Sequence, residues 1–97
     1  MTGYDFERGF VAVVMALSAA KGLRSATLAR QAWPESKDAA GKWRKIRNGN
    51  PPQELSMRDA FALAASMQVS MVDICAFVQS KELADAVYEY HASAANE

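Results

Sequence analysis

The chain has 97 residues, 51% hydrophobic and 23% charged, with five Gly, three Pro and one Cys, which suits one domain and excludes a disordered, fibrous or linker-like polymer. A lone Cys cannot form an internal disulfide, the start Met1-Thr-Gly-Tyr-Asp-Phe-Glu-Arg8 lacks the basic opening of a signal peptide, and the apolar run from Phe10 to Ala20 falls short of the ~20 residues of a membrane span. Eleven Lys/Arg balance eleven Asp/Glu, yet residues 1–20 are net −1, residues 21–58 net +6 and residues 59–97 net −5, an asymmetry that points to one surface made for a polyanion. The expectation is a cytoplasmic single domain spanning 1–97, without a membrane segment.

Helix signals run along the chain and strand signals are missing. Phe6, Phe10, Val13, Val14 and Leu17 recur on one helical face, so residues 5–21 read as a first helix. Asp5 and Glu7 sit in its first turn, Lys21 in its last, and Gly22 is the stop. Ser25 reads as the N-cap of a short second helix, 26–32, with Leu28, Ala29 and Ala32 inward. Trp33-Pro34 ends it, because the residue before proline is driven out of the α region. Ser36 is placed to cap a third helix reaching Asn48, with Ala39, Ala40, Trp43 and Ile46 on its inner side, and Asn48-Gly-Asn-Pro-Pro52 breaks it. Ser56-Met-Arg-Asp59 has the spacing of a capping box and opens a fourth helix, 57–67, whose inward face is Phe61, Leu63, Ala64 and Met67. Ser70 and Asp73 repeat that spacing ahead of a fifth helix carrying Met71, Val72, Ile74, Phe77 and Val78. A sixth is expected over 81–91, with Leu83, Val87 and Tyr90 apolar. The fold class is all-α, with five or six short helices packed orthogonally.

One His, His91, and one Cys, Cys75, leave no Cys–His–acid set and no metal-ligand spacing. Cys75 reads as a small buried hydrophobe, His91 as a favourable residue at a helix C-terminus, and Met15, Met57, Met67 and Met71 as core filler. Neither an enzyme nor a metal or cofactor is expected, and no small-molecule ligand is evident.

The order of landmarks between residues 25 and 78 is more specific. Thr27-Leu-Ala29 lies in the second helix, and Lys42-Trp-Arg-Lys-Ile-Arg-Asn-Gly49 ends the third. Asn50-Pro-Pro52, Leu55-Ser56 and Ala60-Phe-Ala-Leu-Ala-Ala-Ser-Met-Gln-Val-Ser70 follow. In these residues the chain resembles the lambda-repressor/Cro-like class of helix-turn-helix proteins, over about 55 of its 97 residues. One departure stands out. The class joins its second and third helices by a turn of about four residues, whereas here Trp33-Pro-Glu-Ser36 fills the turn and Gly49 comes 21 residues after Leu28. Either the turn is enlarged or the recognition helix starts a turn early. The resemblance implies a sequence-specific, DNA-binding transcriptional regulator of phage or prophage repressor type. It implies a homodimer that occludes a promoter on a two-fold operator, with half-sites about one helical turn apart.

The third helix has the chemistry for that use. With Trp43 and Ile46 inward, the other side carries Lys37, Asp38, Gly41, Arg44, Lys45 and Asn48, with Lys42 on the flank. Gly41, Lys42, Arg44 and Lys45 are the candidate base contacts, the glycine because it leaves the helix thin, the cations because they reach G O6 and N7. Ser25, Thr27, Lys37, Arg47, Asn48 and Asn50 are the candidate phosphate contacts. A basic helix serving solubility alone would leave the mutual repulsion of Lys42, Arg44, Lys45 and Arg47 unexplained. Phe77, Val78, Leu83, Val87 and Tyr90 are the candidate dimer seam. Two readings from other classes stay open. One is a helix-turn-helix fold used for protein contact, of antitoxin or antirepressor type; the other is a domain whose basic helix binds an acidic protein.

Overall fold

The structure, a computed structural model, describes residues 1–80. Over these the chain is all-helical: α1 Gly3–Ala20, α2 Ser25–Ala32, α3 Ala39–Asn48, α4 Met57–Ser66 and α5 Met71–Gln79. The expected sixth helix, and with it Leu83, Val87, Tyr90 and His91, lies outside the described residues.

Side-chain caps set four of the five starts. Thr2 Oγ1 accepts from the Asp5 N–H at 3.0 Å and the Asp5 carboxylate accepts from the Thr2 N–H at 3.2 Å, so α1 begins at Gly3, three residues before the apolar pattern opens at Phe6. It ends on Gly22, whose φ of +73° is the left-handed conformation that glycine adopts without a Cβ clash. Ser56 and Ser70 cap α4 and α5 as expected, accepting from the N–H groups of Asp59 and Val72. Two further starts differ from the sequence reading. Asp38, not Ser36, caps α3, and α2 begins at Ser25 behind Arg24, which offers no side-chain cap. The linker between α2 and α3 is therefore enlarged, running over residues 33–38.

Packing orders the helices into one core. α2 lies against α3 and α4, α1 against α5, and α4 against α5. Phe10, Val13 and Val14 of α1, Leu28 and Ala29 of α2, Trp43 and Ile46 of α3, Leu63 and Ala64 of α4, and Ile74 and Val78 of α5 are buried together. Phe61, expected inward, is instead exposed at 63%, and Val72 of α5 is exposed at 75%. α4 turns Ala60, Leu63 and Ala64 inward, and Met67 just past its end is buried too, which rotates Phe61 into solvent. Of the methionines expected in the core, Met67 is buried and Met71 half-buried, while Met15 and Met57 are exposed. Cys75 is a half-buried free thiol against the core. No single helix among the described residues is long and apolar enough to cross a membrane.

Candidate nucleic-acid interface

Four cations within six residues of α3 face three different surroundings. Trp43 and Ile46 are fully buried and fix the helix's rotation. That leaves Arg44, Lys45 and Asn48 exposed as a solvent-facing stripe, Asn48 one turn beyond Arg44.

Lys42 is not part of that stripe. Its Nζ donates to Asp59 Oδ1 of α4 at 3.0 Å and stands 4.6 Å from the centroid of the Trp33 ring. The Trp33 indole N–H donates to the same Asp59 oxygen at 3.0 Å. Trp33 in turn meets Trp43 with ring centroids 6.4 Å apart and planes tilted by 54°. Burial pushes the Asp59 carboxyl up, but the hydrogen bonds from Lys42, Ser56 and Trp33 and the charge of Lys42 outweigh it, so its pKa lies below the usual carboxylate value. The enlarged linker, α3 and α4 are thereby tied at one carboxylate. Lys42, expected to touch bases, instead holds α3 in place.

Gly41 also departs from expectation. It is buried: the Asp38 side chain folds over it to accept its N–H at 3.0 Å. A Cβ at this position would collide with that carboxylate. The thin point of the helix serves its own cap rather than an outside surface. Asp38 is that cap.

Arg47 is half-buried, its guanidinium carbon 5.5 Å from the centroid of the Trp43 ring. Burial, and then repulsion from Arg44, lower its pKa without discharging it at any ordinary pH. Arg8 of α1, from the net-acidic segment 1–20, reaches the same end of α3, its Nη1 donating to the Arg47 carbonyl at 3.5 Å. Lys37 is exposed in the linker ahead of α3, Ser25 is exposed at the start of α2, and Thr27 is half-buried. Asn50 is exposed in the loop behind α3, and that loop is pinned: the Lys45 carbonyl accepts from both the Gly49 and the Gln53 N–H at 3.0 Å. At Gly49 a Cβ would run into that same carbonyl, so glycine is required for the close approach.

Val78 is unavailable for a dimer seam. It is buried, with its side chain against Gly9 of α1. Phe77 is half-buried against the core, and Leu83, Val87 and Tyr90 fall outside the described residues. An apolar groove of about 230 Å³ opens between α1 and the starts of α4 and α5, lined chiefly by Phe6, Phe10, Leu55, Met57 and Met71. Among the described residues no group of three or more His, Cys, Asp or Glu is placed to hold a metal ion. Comparison of the chain with protein-family models, curated proteins and solved structures finds no match.

Proposed function

We propose that the chain is a DNA-binding transcriptional regulator of lambda-repressor/Cro-like, helix-turn-helix type, with α2 and α3 as the docking unit and α3 as the recognition helix. The observation that carries this reading is the exposed stripe Arg44, Lys45 and Asn48 on a helix whose rotation is fixed by Trp43 and Ile46 and whose flank is latched by Lys42 to Asp59. Arg44 and Lys45 suit guanine edges in the major groove. Asn48, Asn50, Ser25 and Lys37 suit phosphate oxygens. Repression would follow from occlusion of a promoter by a homodimer. The test is a fluorescence anisotropy titration with duplex DNA across a salt series. Binding is expected at low salt, with log K falling against log[salt] by ~0.9 for each phosphate contacted. Absence of binding to any duplex at low salt overturns the reading.

The apolar groove, together with the exposed Met57 and Phe61 on successive turns of α4, supports protein contact as the second reading, ahead of a basic helix that binds an acidic protein. On that reading the partner would be gripped through α4 rather than α3. Phe61→Ser then abolishes a protein complex and leaves duplex binding untouched.

A further inference from the structure

We infer that Arg8 and Arg47 form a seat for one phosphate oxyanion, which in the DNA-bound chain takes a backbone phosphodiester beside the C-terminal end of α3. The inference rests on the DNA-binding reading for its ligand, and on an independent observation for its site. The Nε atoms of both arginines are shut off from water and neither has a hydrogen-bond acceptor. Buried donors are almost always satisfied, and one left unmade costs free energy that an incoming acceptor would relieve.

The surroundings select an anion as that acceptor. Arg8 Nη1 reaches the Arg47 carbonyl at a long 3.5 Å, so the two residues lie together although 39 positions separate them. That contact places a cation on the last turn of α3, where the helix dipole would otherwise repel an anion. Arg47 is backed by the Trp43 ring and makes no ion pair among the described residues; Arg44 adds to the positive charge around it. Glu7 meets Arg8 Nη2 at 3.4 Å, on a different nitrogen from the unpartnered Nε. Of the three guanidiniums, only that of Arg8 is in an ion pair among the described residues. Both Nε atoms are covered in the unbound chain; once a guanidinium turns outward, its edge offering Nε–H and Nη–H matches two phosphate oxygens at once. The position fits as well: Arg47 lies between Lys45 and Asn48, at the end of the stripe expected to enter the groove, where a strand's phosphates pass.

The test follows the Arg Nε–H resonances of the full chain by NMR during titration with a random-sequence duplex, alongside anisotropy on Arg8→Gln and Arg8→Lys. The expected result is that the Nε–H signals of Arg8 and Arg47 move together. Arg8→Gln should bind about tenfold more weakly at low salt, with the salt slope reduced by just under one. Arg8→Lys should fall between it and the wild type, because charge survives and the fork does not. Wild-type affinity and slope in Arg8→Gln, with both Nε–H signals unmoved by DNA, overturn the seat and leave the DNA reading standing. Should the wild type bind no duplex, the DNA reading fails and inorganic phosphate decides the seat. A saturable joint shift of the two Nε–H signals supports it, and no shift overturns it.

Discussion

Lys42 and Lys45 stand three residues apart on α3 and should behave in opposite ways when truncated. Lys45→Ala removes an exposed cation from the stripe proposed to meet DNA; it should cost ~1–3 kcal/mol on a preferred duplex and relax the preference at one base pair. Thermal unfolding should be unchanged. Lys42→Ala leaves Asp59 with the Trp33 indole and no counter-charge, so unfolding should come at lower temperature and affinity should fall alike on all sequences. Uniform loss in both variants would mean that α3 reads no bases. Asp59 adds a pH signature. Its folded pKa lies below the unfolded value of ~3.9, so its contribution is complete above that value and disappears as the pH drops through the lower, folded one. Lys42 keeps 31% of its side chain in water, which screens the pair, and the effect should be about 1 kcal/mol or less. Urea unfolding at pH 7 and near pH 3 checks it: the wild type should lose more stability on acidification than Asp59→Asn. Equal losses would remove the carboxylate from the account. None of this hub was readable in the sequence, since Trp33 and Asp59 lie 26 positions apart and no local rule pairs them.

At the scale of helices, the ends were more legible than the faces. Ser56, Ser70, Gly22 and the Asn48-to-Pro52 breaker mark their boundaries because capping is a local hydrogen-bond problem solved within three or four residues. The start of α3 was harder, because Ser36 and Asp38 both offer a capping oxygen and tertiary packing of Ala39 decides between them. The orientation of Phe61 was illegible for a different reason. α4 holds four alanines among its ten residues, so its two sides differ little in apolar character and periodicity alone cannot orient it. Asp38 and Gly41 allow a prediction at this scale. Asp38→Ala should cost about 1 kcal/mol through loss of the cap. Gly41→Ala should be close to neutral, because a gain of about 1 kcal/mol in helix propensity is offset by displacement of the Asp38 carboxylate. In the double variant that displacement has no further cost, so the second substitution should restore what the first removed. Strictly additive stabilities in a denaturant series would show that the two residues do not compete for the same space.

Across the whole molecule, the all-helical class followed from periodicity, while the docking order of the helices did not. That order depends on which apolar faces fit one another, as when the missing side chain at Gly9 admits Val78 of α5. Burial of Val78 also narrows the proposed assembly. With it committed to the core, a seam beyond residue 70 would rest on Phe77 and on Leu83, Val87 and Tyr90. One recognition helix makes too few contacts to discriminate among the roughly million or more sites of a genome, and two-fold pairing doubles them. Truncation after Ser80 should therefore leave a protein that keeps its fold by circular dichroism but stays monomeric on a two-fold duplex by light scattering. A truncated chain that still dimerises on DNA places the seam within residues 1–80, and a full-length chain that binds as a monomer ends the dimer proposal.

The contact between Trp33 and Trp43 gives the protein an optical probe of its own. Indoles with centroids 6.4 Å apart are close enough for their electronic transitions to mix, so the folded chain should show a near-ultraviolet circular dichroism couplet that vanishes if either ring is replaced by phenylalanine. The two rings belong to different segments, one to the linker and one to α3. The couplet therefore reports their mutual orientation rather than helix content. The Lys42 ammonium over one ring and the Arg47 guanidinium near the other impose electric fields on both chromophores. Any event that moves either cation, such as an anion arriving at Arg47, shifts the emission without a label.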